Sequence, residues 1–142
     1  MRDSFEPSFN MTVLKFEGGS RYTNDPTDPG GETRWGLSKR ANPDLDIANI
    51  TMNAAKEVYL ERYWKPAGCD EMPYPWDAIT FDTAVNMGVK KALKIKEGAA
   101  TPADCHLQRI FEYCRIVENN PVMAKYIKGW VNRVVQLWQV TK

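Results

Sequence analysis

The sequence has no long apolar run, little net charge, a single histidine and an odd number of cysteines. No window approaches the ~18 uninterrupted apolar residues that a membrane-spanning helix needs, so we expect no membrane insertion. The formal net charge of +1 provides no overall attraction to nucleic acid, so we expect no nucleic-acid partner.

The residue types of a metal or cofactor site are equally scarce. His106 is the sole histidine, and neither an HExxH nor a CxxC motif occurs, so we expect no metal site. No glycine pair is followed by the Lys-Ser/Thr of a phosphate loop, and we expect no cofactor. The odd number of cysteines argues against a disulfide framework, so Cys69, Cys105 and Cys114 are interpreted as reduced thiols.

The pattern of the chain changes abruptly near residue 17. Ser8 to Phe16 carries apolar residues at helical spacing, and Glu17 and a glycine pair follow, which predicts a helix that ends at Glu17. Gly18 to Leu37 is rich in Gly, Pro, Asp, Asn and Thr and has no helical period. Thr33-Arg34-Trp35 is interpreted as a short strand returning from a turn at Pro29-Gly30-Gly31. These signals predict a small β-hairpin lobe.

Helical patterns resume after the lobe. Thr51 is a predicted N-cap, a further helix is predicted over Trp76 to Met87, and Thr101-Pro102 and Asn120-Pro121 resemble helix starts. Spacing predicts a core-facing stripe on the third of these helices, made of Leu107, Ile110, Phe111 and Cys114. On the last helix it predicts an apolar stripe (Met123, Ile127, Trp130, Val134 and Leu137) and an opposite polar face (Lys125, Lys128, Asn132, Arg133 and Gln136).

Glu17 is the strongest candidate for chemistry. Apolar residues precede it, and partial burial at a helix end beside a polar lobe favours the protonated carboxyl near neutral pH. A general acid that acts on a glycosidic oxygen needs such a carboxyl. Asp25, Asp28 and Thr33 follow in the lobe and are candidates to hold a water on the far side of a sugar.

A series of motifs resembles glycoside hydrolase family 108, the N-acetylmuramidases that occur as phage endolysins and in secretion activator proteins. The resemblance covers most of the chain. In chain order the motifs are Glu17-Gly18-Gly19, Asn24 to Thr33, Gly36-Leu37-Ser38, Tyr63-Trp64, Cys69-Asp70, Phe81 to Gly88, Leu107-Gln108-Arg109 and Gly129 to Arg133. It implies a single lysozyme-like domain over residues 1–142 that is mainly α (α+β), a helical bundle with the hairpin lobe forming a cleft. Residues 1–90 would be the catalytic part and residues 91–142 C-terminal helices packed on it.

The resemblance also implies residue roles. Glu17 matches the family's catalytic acid, for hydrolysis of the β-1,4 bond between N-acetylmuramic acid and N-acetylglucosamine in peptidoglycan. The layout is similar to that of phage-type lysozymes, which add an Asp and a Thr, but the spacing departs from theirs. The gaps are ten and four residues through Asp28, and seven and seven through Asp25. Asp28, with Thr33, is preferred because it lies nearer the turn, and Asp25 stays open.

Further predictions concern binding and setting. Tyr22 and Trp35 are candidate stacking surfaces and Asn86 a candidate cleft residue, with Asp25 as a fourth substrate contact. The expected partner is the glycan strand of peptidoglycan, bound by a monomer. Met1 to Asn10 lacks the apolar core of a signal peptide. We therefore expect synthesis in the host cytoplasm and action at the cell wall or periplasm, reached through a holin or a virion component.

Two alternatives accompany the muramidase prediction. A lytic transglycosylase would cleave the same bond with the acid alone, because the sugar's own 6-hydroxyl attacks. A non-catalytic peptidoglycan-binding module or secretion helper would bind the wall without releasing fragments. Glu17 with its Asp/Thr loop argues against the second, since binding alone needs no shielded carboxyl.

Overall fold

The computed structural model describes residues 4–142, so the start of the segment Met1 to Asn10 lies outside the described residues. The described chain is mostly helical, with one two-stranded antiparallel sheet, which confirms the predicted fold class. The elements are α1 (Phe5–Phe9) and its π-helical continuation (Asn10–Phe16), β1 (Thr33–Arg34), β2 (Leu37–Ser38), α2 (Met52–Tyr59) and its π-helical continuation (Leu60–Trp64), α3 (Trp76–Met87), α4 (Val89–Glu97), α5 (Pro102–Asn119) and α6 (Ile127–Thr141). Short 3₁₀ segments cover Ile47–Asn49, Cys69–Glu71 and Pro121–Tyr126.

The first helix ends where the sequence predicts. The backbone N–H of Glu17 donates to the carbonyl of Thr12 at 3.1 Å, five residues back, so the last turn is wider than an α-helical turn. Gly18 then takes a φ of 87°, a left-handed conformation that suits glycine and stops the helix. Glu17 is thus the last residue before the chain turns into the lobe.

The hairpin is confirmed, but its turn lies elsewhere than predicted. Thr33 pairs with Ser38, and Arg34 pairs with Leu37. Trp35 and Gly36 form the connection with φ of 54° and 73°, and positive φ at both positions defines a two-residue type I′ turn. The turn at residues 29–31 is a separate one, closed by Gly31 N–H donating to the carbonyl of Asp28.

The core is built around α3, whose predicted bounds are confirmed. All eight residues from Asp77 to Ala84 are buried. Phe81 packs edge-on against Trp64, with ring centroids 5.5 Å apart, and against Phe5, 5.8 Å apart. Such aromatic contacts stabilise a core beyond the burial of area alone. Within residues 4–142, no helix is both long enough and apolar enough to cross a membrane.

The predicted inner face of α5 is wrong. Leu107 and Phe111 are 56% and 67% exposed, and Cys114 is also exposed. The helix instead buries Arg109 and Tyr113. Arg109 forms an ion pair inside the molecule, which turns its face of the helix inward. A prediction from hydrophobic spacing places every arginine at the surface and therefore misses this face. The N-terminal cap at Thr101 is confirmed, with a complete capping box.

The last helix differs from its prediction in two respects. Pro121 begins a 3₁₀ segment, and α6 itself starts only at Ile127. Val134 and Leu137 are buried as predicted, but Arg133, assigned to the solvent face, is buried as well. Its guanidinium has carboxylate partners in the interior, which removes the energetic penalty that burial of a lone charge would carry.

Candidate active site

The carboxyl of Glu17 lies at the seam between the hairpin and the helical bundle. Its side chain is 26% exposed, and Oε1 accepts a hydrogen bond from Nη1 of Arg133 at 2.6 Å. The hairpin backbone packs directly on it: a Cβ added at Gly36 would lie 2.7 Å from Cβ of Glu17 and 2.6 Å from the hydroxyl of Tyr59. Only glycine at position 36 allows this approach.

Behind Glu17 lies a buried cluster of charges centred on Asp82. Oδ1 of Asp82 accepts from Thr12 at 2.7 Å and from Arg133 at 3.1 Å, and Oδ2 accepts from Arg109 at 2.7 Å. Burial opposes the charge of Asp82, but the two guanidinium groups outweigh it and hold the pKa of this carboxyl below its usual value. With Glu17, the cluster brings two acidic side chains together with the guanidinium groups of Arg109 and Arg133.

Arg133 connects the cluster to the cleft. Burial disfavours its charge, but the carboxylates of Asp82 and Glu17 outweigh burial and raise its pKa above the usual value. The fork of guanidinium N–H groups is shared between the two acids. Arg133 therefore acts as a positioning residue that fixes the carboxyl of Glu17 from the far end of the chain. The Glu17 carboxyl therefore has a guanidinium against it, and partial burial is not the only influence on its charge.

A polar cavity of about 530 Å³ opens in front of Glu17, within the size range of ligand sites. The N-terminal helix contributes one wall, α6 the other, and Asn86 lies at the end of α3. Asn86 was a predicted cleft residue, and its Oδ1 accepts a hydrogen bond from the hydroxyl of Tyr113. The lining residues are Lys15, Phe16, Glu17, Asn86, Gly129, Trp130, Asn132, Arg133 and Gln136.

The loop acids are held by their own loop. Asp25 accepts from the Thr27 hydroxyl at 2.7 Å and the Thr27 N–H at 2.8 Å, and these hydrogen bonds lower its pKa. Asp28 accepts from the N–H of Gly30 at 2.8 Å. Thr33 donates to the carbonyl of Gly31 at 3.5 Å. None of the three predicted residues lines the cavity of Glu17, so their catalytic roles stay predictions.

The two aromatic candidates have different surroundings. Trp35 is only 9% exposed, and its indole N–H donates to the carbonyl of Ile50 at 3.0 Å, so it belongs to the core. This burial argues against its predicted role as a stacking surface for a sugar. Tyr22 is 41% exposed and donates to Glu32 at 3.0 Å, and its role as a stacking surface stays a prediction.

Sequence reasoning missed the charges that support Glu17. Asp82 is one of two acids, with Asp77, among the mostly apolar and small residues of α3, and a charged acid requires a cation when it is buried. Arg109 and Arg133 are the two cations, both within motifs that carried the family resemblance. An acid in the middle of an apolar helix was the available signal, and it would have pointed to an internal ion pair.

Helices that line a polar cavity, with a carboxyl at its edge and a small hairpin packed on that carboxyl, form a lysozyme-like fold. The Glycosyl hydrolase 108 profile matches residues 11–88, and the chain belongs to that family. Brucella abortus SagA has a similar structure, with a TM-score of 0.71 and 23% identity over 99% of this chain and 95% of that chain, which shows the shared fold. No curated protein matched. Family membership makes the protein a glycoside hydrolase by class.

Proposed function

We propose that the protein is an N-acetylmuramidase that hydrolyses the β-1,4 bond between N-acetylmuramic acid and N-acetylglucosamine in peptidoglycan. The observation that carries the proposal is the partly buried carboxyl of Glu17, fixed at 2.6 Å by Arg133 in a polar cavity. Membership of a glycoside hydrolase family supports the reaction class. A saccharide in this cavity would place its glycosidic oxygen beside the acid.

Glu17 has one oxygen engaged and one available. Among residues 4–142, only Oε1 receives a hydrogen bond, which leaves Oε2 for the glycosidic oxygen. Protonated Glu17 gives its proton to that oxygen as the C1–O bond breaks and positive charge develops at C1. Arg133 keeps Asp82 as a second partner throughout, so protonation of Glu17 does not leave a buried guanidinium unpaired. The same guanidinium stabilises the carboxylate that forms.

The attacking water completes the reaction. Asp28, with Thr33, would orient it and accept its proton as the oxygen bonds to C1, which inverts the configuration. Asp25 is the alternative second carboxylate. Both acids lie in the exposed loop, outside the lining of the cavity that holds Glu17.

Replacing Glu17 with Gln tests the proposal directly. Turbidity clearance of purified sacculi should slow by at least ~10²–10⁴-fold, the contribution of a positioned acid. The melting temperature should change little, because the amide oxygen can still accept from Arg133. Wall clearance at the rate of the parent protein would reject Glu17 as the acid.

A lytic transglycosylase is the second candidate, because neither loop acid lines the cavity of Glu17. That reaction needs only the acid: the 6-hydroxyl of the muramic acid attacks C1 and yields a 1,6-anhydro end. Mass spectrometry of the released fragments distinguishes the two, since hydrolysis leaves reducing ends. A protein that binds sacculi but releases no fragments would instead be a wall-binding module or secretion helper.

A further inference from the structure

A second cavity, of about 350 Å³, lies beside the one that holds Glu17. The end of α3, the start of α4, one face of α5 and Trp130 of α6 form its wall. Asn86 and Trp130 line both cavities, so the two spaces meet at these side chains. A polymer bound over Glu17 therefore has a neighbouring space that can accept a branch.

The wall of the second cavity carries more positive than negative charge. Nζ of Lys91 donates to Oε2 of Glu112 at 2.8 Å, and Nη2 of Arg115 lies 3.5 Å from the same oxygen. The hydrogen bond from Lys91 and the charges of Lys91, Arg115 and Lys94 together outweigh burial and lower the pKa of Glu112. One carboxylate is thus shared by two cations of the wall, so these three charged groups sum to one net positive charge.

The tryptophan in this wall already stacks on neighbouring tyrosine rings. The ring of Trp130 stacks against Tyr113, with centroids 4.9 Å apart, and against Tyr126, 5.8 Å apart. It serves as a fixed wall rather than an open platform for a sugar ring. The remaining polar groups are the cations and the amides of Asn86 and Asn119, which match carboxylates and peptide groups.

We propose that the second cavity binds the carboxylate-bearing peptide branch of peptidoglycan while the glycan lies over Glu17, which rests on the proposed function. Sugar rings present hydroxyl and acetamide groups, which carry no charge, whereas the peptide branch carries carboxylates. A guanidinium with unsatisfied N–H groups prefers a carboxylate to either neutral group. Arg115, the more exposed cation with 59% of its side chain accessible, is the specificity-determining contact.

Binding measurements on Glu17→Gln protein avoid turnover during the experiment. The probes are the soluble N-acetylglucosamine–N-acetylmuramic acid disaccharide with its peptide and the same disaccharide without it, which keeps its lactyl carboxylate. Calorimetry at low salt should show a roughly three- to fivefold loss of affinity for the peptide-bearing probe on Arg115→Glu, the range for an exposed charge contact. The matched control is Lys65→Glu, because Lys65 is similarly exposed in a pair with Glu61.

The outcomes separate the proposals. Weakening of the peptide-bearing probe alone, with Lys65→Glu unchanged, supports a peptide site. Equal weakening of both probes would mean that Arg115 acts on the disaccharide that they share, and it overturns the peptide assignment. No weakening, or the same weakening on Lys65→Glu, also overturns it. Wall clearance by Glu17→Gln protein would reject the proposed acid without altering this difference in binding.

Discussion

The carboxyl group at the end of the first helix is held by distant residues, whereas the two acids of the hairpin lobe are held by near neighbours. Glu17 bonds to Arg133, 116 positions away, and Thr12 bonds to Asp82, 70 positions away. Asp25 and Asp28 each bond to a residue two positions away. The acid is therefore positioned only when the whole chain has folded, whereas the loop acids keep their local geometry independently of the core.

The largest loss of stability is expected for Asp82→Asn, which removes the central charge of the buried cluster. Loss of this charge leaves Arg109 and Arg133 buried with too few anionic partners, and removing one member of a buried pair destabilises by about 3–5 kcal/mol. The free energy of unfolding in urea measures the loss. Asp44→Asn is the control, because Asp44 forms an exposed pair with Arg62 and its loss should be close to neutral.

Gly36→Ala acts at the boundary between the two sides. The new Cβ would lie 2.6 Å from the Tyr59 hydroxyl and 2.7 Å from Cβ of Glu17, and φ is already 73°. Gly68→Ala has the same φ penalty, about 1–2 kcal/mol, at φ of 72° with no atom within 4 Å. The position 36 variant should therefore lose a further ~1–3 kcal/mol from overpacking and also lose activity. Equal stability losses at the two positions would show that the contact with Glu17 is not tight.

The bundle away from the cleft has its own pH dependence. Burial, reinforced by the charge of Arg109, lowers the pKa of His106 from 6.5 to about 4. Between pH 6.5 and about 4, His106 binds a proton in the unfolded chain but not in the folded chain. Its contribution to the free energy of unfolding is therefore fully present above pH 6.5 and is lost as the pH drops. The slope should approach about 1.4 kcal/mol per pH unit. His106→Asn should weaken the pH dependence of the free energy of unfolding, measured by chemical denaturation from pH 6.5 to 5. The same change in free energy per pH unit as in the parent protein would contradict the assignment.

The smallest effects on stability are expected on the hairpin side. Asp25→Asn and Asp28→Asn each disturb only exposed hydrogen bonds within one loop, so melting temperatures should stay near that of the parent. Activity distinguishes them: the acid that orients water should lose ~10²-fold or more in clearance rate, and the other should lose little. If neither variant loses activity and anhydro products appear, the transglycosylase route is favoured.

The same difference in sequence separation explains what the sequence could predict. The bounds of α3, the Thr101 cap and the helix end at Glu17 depend on neighbouring residues, and all three are confirmed. Arg133 and Asp82 depend on contacts across the fold, and no local pattern reveals which arginine will be buried.

The face of α5 shows the same limit. The apolar residues of α5 alone do not decide which face of the helix is buried. The pairing of Arg109 with Asp82 turns the face that carries Arg109 inward. Trp35 was misplaced for a related reason. A tryptophan in a polar, turn-rich segment favours a surface interpretation, yet the hairpin folds back so that this ring packs into the core.

The widened turn that precedes Glu17 sets a limit on redesign. Because the N–H of Glu17 bonds five residues back, the stretch between Thr12 and Glu17 contains one residue more than an α-helix would use for the same bond. Deleting a single residue there would let the same bond close as an ordinary α-helical turn, whereas inserting one would rotate the acid by about 100° away from its guanidinium. The widened turn therefore makes this short stretch more tolerant of a deletion than of an insertion.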